Sequence, residues 1–235
     1  MLTGSALWMR LMLHQSIFEP GSATAISLPE VVGAFSYTLD IAAGRAAGHS
    51  VRTCWIGMNL GRQFCVPDED LRDLYYVLLL ANSGFGQLHV SADVARGIEH
   101  VREHWDGSGK PSQLKGQAIP LTARVTLLAQ LVDLTQAKYG RDGAMREVRR
   151  LSGTWLQPEL VEVFLRIAAS DFLWKQLNGP FLDARVAMMA PQESIDPGAA
   201  DLLGDITIDL ARILRSKTVN NDCVAAFRRA GITGR

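Results

Sequence analysis

The chain has 235 residues, of which 48% are hydrophobic and 20% are charged, and 24 basic side chains balance 24 acidic ones. This composition excludes a disordered chain, and the balanced charge gives no reason to expect DNA, RNA or an anionic membrane as a partner. No run reaches the roughly 18 uninterrupted apolar residues that a membrane span needs, so we expect a soluble, cytoplasmic protein.

Helical patterns follow one another from the N-terminus. We assign residues 1–28 to an N-terminal helical extension. Ser27 is then a suitable N-cap for a helix with Pro29 in its first turn. The next predicted helix, residues 46–64, carries one apolar stripe at helical spacing, formed by Val51, Cys54, Trp55 and Met58.

The middle of the chain continues the helical pattern. Residues 67–82 begin with acidic side chains and continue as an almost wholly apolar run, which is typical of a buried helix. Residues 91–105 form another candidate helix with Ser91 as its cap, and residues 120–140 a long apolar helix that Gly140 is suited to end.

Three short helical patterns complete the main domain, in residues 143–153, 157–170 and 171–179. Almost nothing alternates with period two, so we predict an all-α helical bundle. Residues 191–235 differ: a stretch rich in Pro, Gly and acidic side chains has the character of a linker, and an amphipathic helix and a polar tail follow it. The main domain is therefore expected to cover residues 29–190.

The chain contains three cysteines, Cys54, Cys65 and Cys223, which are far apart and form no CxxC motif. We expect them to be buried free thiols of a reducing compartment.

The most specific stretch is the loop between residues 103 and 121, which contains Gly107-Ser108-Gly109-Lys110. A phosphate-binding P-loop is disfavoured, because Pro111 replaces the hydroxyl residue that would bind magnesium, and because a helical pattern rather than a strand precedes the loop. A nucleophile elbow fails on the glycine spacing. An ordinary surface turn accounts for the glycines but not for the order of the other residues.

That order resembles the signature of the HD-GYP family of bacterial phosphohydrolases, which reads roughly HHERWDGSGYPxGLxGxxIPLxARI. The similarity covers about twenty positions without a gap and includes the loop residues Trp105, Asp106, Gly107, Gly109 and Pro111; Lys110 stands at the signature tyrosine. Upstream, Gly48, His49, Ser50 and Arg52 resemble the family's GHS-x-R motif. The resemblance spans residues 29–168 and implies an all-α fold of the HD-domain type.

Active HD-GYP proteins resemble metallohydrolases in which two or three iron-like metals activate water against cyclic di-GMP. The resemblance places His49 at a ligand position, with Arg45 where an acidic ligand often stands. At the remaining ligand positions the chain has Ala81 and Asn82 for the HD pair, Phe85 at or near a lysine, Val101 and Arg102 for two histidines, and Gln130 for an aspartate. Asp133 matches a second aspartate that we interpret as structural.

Only about twenty positions separate Ala81 from Val101, where the family has a longer segment with another metal histidine. His89, His100 and His104 lie in this region, and i, i+4 spacing would place His100 and His104 on one helix face. Such a pair is either a weak single-metal site or two solvent-facing residues. No metal site is expected.

We therefore expect a degenerate HD-GYP-like module without cofactor, acting in signalling or regulation through a protein partner or a homo-oligomer. Its loop is either structural or part of a residual cyclic-dinucleotide pocket with Arg102, Lys110 and Arg124 as ligands. The alternative is a metal-dependent phosphodiesterase that uses Fe, Mn or Zn on non-standard ligands. The helix in residues 205–218 resembles the start of a second HD-GYP unit.

Overall fold

The computed structural model describes residues 32, 33, 36, 40, 44–81 and 91–191. The predictions for the N-terminal extension, for Asn82, Phe85 and His89, for Cys223 and for the section from residue 192 onward lie outside the described residues. The described part is all-α, as predicted, and contains no strand. None of its helices is long and apolar enough to cross a membrane.

Seven helices with defined ends make up the described part. They are α1 (His49–Gln63), α2 (Asp68–Leu80), α3 (Ala92–Glu99), α4 (Leu121–Arg150), α5 (Pro158–Ala169), α6 (Asp171–Leu177) and α7 (Leu182–Ala187). A single 3₁₀ turn, Gly116–Ala118, precedes α4.

The predicted apolar positions form one hydrophobic core. All four members of the α1 stripe are buried, and the run Leu74–Leu80 of α2 is buried at every position. The first turn of α2 contains Asp68, Glu69 and Asp70. Their negative charges interact favourably with the positive end of the helix dipole. Helices α4 and α5 contribute the other large core side chains, including Leu128, Leu160 and Phe164.

One predicted helix end differs from the structure. Helix α3 begins after Ser91, whose Oγ accepts a hydrogen bond from the Val94 amide, but it ends at Glu99 instead of reaching residue 105. Beyond His100 the helical pattern stops: the amides of Val101 and Glu103 donate to carbonyls three residues earlier, and those of Trp105 and Asp106 donate to the distant carbonyls of Trp155 and Thr154. At Gly140 the backbone leaves the helical conformation, with φ 69° and ψ −177°, so the helix predicted in residues 120–140 ends there as expected; a second helical stretch follows directly, and the two together make up α4.

The first two helices run antiparallel. The side chain of Leu78 lies against Gly57, and that of Leu74 lies against Gly61 one turn further along α1. A Cβ atom added at either glycine would collide with the leucine side chain opposite it. Because glycine has no side chain, the two helices can approach closely. The end of α2, at Ala81, is therefore level with the middle of α1.

Helix α4 also runs antiparallel to α1. Val77 of α2 and Thr122 at the start of α4 lie against the same residue, Gly97 of α3. At the other end of the pair, His49 at the start of α1 contacts Asp133 in α4. Successive turns of α1 from His49 onward thus lie opposite successive turns of α4 from Asp133 back towards its start.

The cysteine prediction is half correct. Cys54 is a fully buried free thiol, and burial raises its pKa far above the usual range. Cys65, by contrast, is exposed: it follows the end of α1 with a positive φ of 58°, in the turn before α2. The prediction that Cys65 is buried was therefore wrong, because a residue in this tight turn lies outside the apolar stripe of α1.

Candidate functional site

The first site residue, His49, is the opening residue of α1 and is 1% exposed. Its ring Nδ1 lies 2.6 Å from Oδ2 of Asp133, whose side chain is 2% exposed. Arg52, one turn along α1, donates from Nε to Oδ1 of the same carboxylate at 2.6 Å and from Nη2 to Oδ2 at 3.3 Å. The structural role that the sequence predicted for Asp133 is the role observed.

The carboxylate of Asp133 is ionised within this cluster. Burial raises the pKa of Asp133, but the hydrogen bonds from His49 and Arg52 and the charge of the guanidinium outweigh it, so that the pKa lies below its usual value. An ionised carboxylate accepts hydrogen bonds only, so the His49 Nδ1 that faces it carries the hydrogen. In the neutral ring, Nε2 is then a bare acceptor.

A second buried carboxylate fixes the start of α1. Gly48, the N-cap, has no side chain with which to cap the helix, and fully buried Asp40 takes over that role. Its oxygens accept from the backbone amide of Ser50 at 3.0 and 3.2 Å and from the Ser50 hydroxyl at 2.6 Å. Burial raises the pKa of Asp40 and outweighs these bonds. Asp40 was not predicted as a site residue, because nothing in the sequence around it indicates that its carboxylate reaches the start of α1.

Several positions at which the resemblance places metal ligands lie in the described residues. His49 begins α1, Gln130 lies on α4 one turn from Asp133, and Ala81 follows the end of α2 level with the middle of α1. Val101 is 5% exposed and belongs to the hydrophobic core. The family's side chain is retained at His49 and replaced at the other three of these positions.

These side chains do not fit a metal centre. Within residues 44–81 and 91–191 and the four described positions before them, no group of three or more His, Cys, Asp or Glu side chains could hold an ion. Alanine and valine offer no ligand atom.

The signature loop is bound to the rest of the bundle through its backbone. The amides of Trp105 and Asp106 donate to the carbonyls of Trp155 and Thr154, at 3.1 and 2.8 Å. The buried carboxylate of Glu103 accepts hydrogen bonds from two further loop amides. These are the amide of Ser112 and that of Leu114, the latter at 3.0 Å. One acidic side chain therefore fixes both arms of the loop.

Gly109 explains part of the signature sterically. A Cβ atom at this position would lie 2.3 Å from the His104 nitrogen and 2.6 Å from the Arg102 carbonyl oxygen, which are backbone atoms that cannot move aside. The Asp106 carboxylate closes the preceding turn by accepting a hydrogen bond from the Ser108 amide at 2.9 Å. Hydrogen bonds from the Ser108 hydroxyl and from the Ser108 amide lower the pKa of Asp106. Gly109 and Asp106 thus have structural roles in the loop.

The three basic residues proposed as ligands differ in their surroundings. Lys110 and Arg102 are exposed neighbours, because the Lys110 amide donates to the Arg102 carbonyl at 3.1 Å. Arg124 is partly buried, donates from Nε to the Ile119 carbonyl at 2.9 Å and lies 5.7 Å from the centre of the Trp105 ring. Burial lowers its pKa. Ligand binding by all three remains a prediction.

His100 and His104 do not share a helix face, because α3 ends before both of them, and that part of the prediction was wrong. His104 stacks on Trp155 with ring centres 4.2 Å apart, and its Nδ1 lies 2.9 Å from the Ser108 hydroxyl. His100 lies 3.9 Å from Glu103. The two rings have separate partners, which argues against a shared metal ion.

Comparison with known proteins supports the resemblance. Residues 61–160, which are 100 of the chain's 235 residues, match the family model described as HD domain. The chain is 24% identical over 270 aligned positions to 3'3'-cGAMP-specific phosphodiesterase 3 of Vibrio cholerae, covering 81% of this chain and 59% of the relative. The resemblance to the HD-GYP family is thereby confirmed.

Two further similarities agree with the HD domain. A cyclic di-GMP phosphodiesterase of Thermotoga maritima is 34% identical over 95 residues, which are 38% of this chain and 25% of the relative. The crystal structure of a cyclic GMP-AMP-specific phosphodiesterase of Vibrio cholerae superposes with a TM-score of 0.74 at 25% identity, covering 83% of this chain and 62% of that one.

The chain is shorter than the relatives that it matches. The chain spans about 60% of the length of the first relative and of the matched crystal structure. The alignment with that relative runs over 270 positions but includes 81% of a 235-residue chain, so the relative has residues at many positions where this chain has none. This agrees with the shortened spacing between Ala81 and Val101.

Proposed function

We propose that this HD-domain protein is a degenerate member that does not hydrolyse cyclic dinucleotides and acts as a signalling or regulatory module through a protein partner or a second copy of itself. The observation that carries the proposal is the replacement of ligands: no His, Cys, Asp or Glu stands at Ala81, Val101 or Gln130, which the resemblance assigns to the ligand set. Ala81 and core-buried Val101 stand where the family has histidines.

The chemistry of the reaction supports this interpretation. A metal-dependent phosphodiesterase needs its ions to activate water and to neutralise charge on the phosphate. In the described part of the chain, the resemblance leaves His49 as the retained ligand, and its Nε2 has no hydrogen-bond partner there. A single imidazole nitrogen binds a metal weakly. The neighbouring Arg52–Asp133 pair is internally neutral and uses both carboxylate oxygens.

The test is hydrolysis of cyclic di-GMP and 3'3'-cGAMP by the full chain with iron, manganese or zinc, and with the Vibrio relative as the positive control. The proposal expects no turnover above the protein-free rate. Turnover that His49→Ala abolishes would establish the alternative, a metal-dependent phosphodiesterase with non-standard ligands.

A residual cyclic-dinucleotide pocket would make the module a sensor and not only a scaffold. The exposed neighbours Lys110 and Arg102 support this part of the proposal, since both offer positive charge to phosphate. Calorimetric titration of cyclic di-GMP into wild type and Lys110→Ala distinguishes the two. A sensor shows saturable binding that the variant weakens at least about fivefold, the loss of one charge-assisted bond; a scaffold shows none.

A further inference from the structure

Three polar atoms in the core between α1 and α4 have no hydrogen-bond partner within the described part of the chain. They are Nε2 of His49, Oγ1 of Thr53 and Oγ1 of Thr126. Both threonines are fully buried, and His49 is 1% exposed. Orphaned buried polar groups are uncommon in folded proteins, and each one requires an explanation.

The helix register brings the three atoms to one place. Thr53 lies one turn after His49 on the same face of α1, and Thr126 lies two turns before Asp133 on the same face of α4. Because the helices run antiparallel from the His49–Asp133 contact, Thr53 is level with residue 129 of α4. The two threonines are then offset by about 4.5 Å along the helix axes, at 1.5 Å per residue.

The chemistry of these atoms is suited to water. When the ring is neutral, Nε2 of His49 accepts a hydrogen bond because Nδ1 donates to Asp133, while each threonine hydroxyl both donates and accepts. A buried water makes about three hydrogen bonds to groups that otherwise have no partner.

We propose that one or two ordered waters lie in this seam, defined by His49, Thr53 and Thr126, and bridge α1 to α4. The seam is a structural hydration site at the level where the degenerate site has Ala81 and Gln130. This inference rests on the proposed function in one respect, because a metal bound to His49 Nε2 would displace the water there; the threonine hydroxyls, which no proposed reaction uses, are tested separately by unfolding.

The first test compares Thr53→Val, Thr126→Val and the double variant by urea unfolding of the full chain. Each single change removes a partner of the water, and we expect the unfolding equilibrium constant to rise about fivefold. The double variant should raise the unfolding equilibrium constant by less than the product of the two single-variant factors, because both hydroxyls share the same water. Stabilisation by either valine, or independent effects, would overturn the proposal.

The control is Thr135→Val, whose buried hydroxyl already donates to the Leu131 carbonyl at 2.6 Å. Combined with Thr53→Val, this change should show additive effects, since Thr135 takes no part in the seam.

The second test does not depend on any variant. A high-resolution crystal structure of the full chain should show water about 2.7–3.2 Å from the His49 Nε2. Data collected at the zinc edge after soaking in zinc should show no anomalous peak there. A zinc ion, or an empty seam at this position, would overturn the proposal.

Discussion

At the scale of single residues, the buried cluster of His49, Arg52 and Asp133 is the most informative feature. Asp133 was predicted to be structural from its place in the family motif, and the structure assigns it two partners on α1. Those partners could not be deduced from the sequence, because 84 residues separate His49 from Asp133. A long-range contact of this kind depends on the helix packing and not on any local pattern.

Replacing Asp133 by Asn should destabilise the fold by about 3 kcal/mol, because it leaves the partly buried Arg52 without its counter-charge. The measurement is urea unfolding at pH 7. Asp171→Asn is the matched control: Asp171 also pairs with an arginine, Arg141, but it is 64% exposed, and its loss should scarcely move the midpoint.

The same variant should alter the pH dependence of stability. The folded-state pKa of Asp133 lies below its unfolded value, so its contribution is fully present above the unfolded pKa and is lost as the pH falls through the folded one. Wild type should therefore lose more stability than Asp133→Asn as the pH decreases from about 5 towards 3. Parallel curves would contradict the proposed ionic cluster.

At the scale of elements, the signature loop shows where prediction from sequence succeeds and where it fails. The turn residues Asp106 and Gly107 were predicted correctly, since their chemistry is local. The predicted end of α3 was wrong by six residues. Backbone groups of this stretch bond to the loop and to the segment around Thr154 instead of continuing the helix, and the Glu103 side chain binds loop amides. Tertiary contacts thus override helix propensity there.

Glu103→Gln should loosen the loop without unfolding the bundle. The loss of the charge weakens the bonds to the Ser112 and Leu114 amides, and we expect their hydrogen exchange to accelerate about tenfold or more. Glu99→Gln serves as control, because Glu99 is 61% exposed on the preceding helix. Unchanged exchange at both amides would show that Glu103 does not fix the loop.

Gly109→Ala tests the steric interpretation of the signature. The new methyl group collides with backbone on the opposite arm of the loop, and we expect a destabilisation of about 2 kcal/mol or more in thermal or urea unfolding. Gly33→Ala, at a helical position with nothing within 4 Å, should be neutral or slightly stabilising. Equal effects of both changes would contradict this interpretation.

At the scale of the whole molecule, the all-α fold and the core of α1 and α2 could be predicted from apolar spacing alone, while α7 was missed because it is only six residues long. The candidate site needed the resemblance, since no periodicity connects His49, Ala81 and Gln130. The resemblance indicates which ligands are replaced, and the structure adds that Ala81 is level with the middle of α1 and that Gln130 lies one turn from Asp133.

The central claim is that this HD domain no longer holds catalytic metal. The most direct measurement is the iron, manganese and zinc content of the natively purified full chain by mass spectrometry, with His49→Ala and the Vibrio relative purified in parallel. The account predicts far less than one ion per chain, unchanged by His49→Ala. One or more ions per chain, lost in His49→Ala, would contradict it.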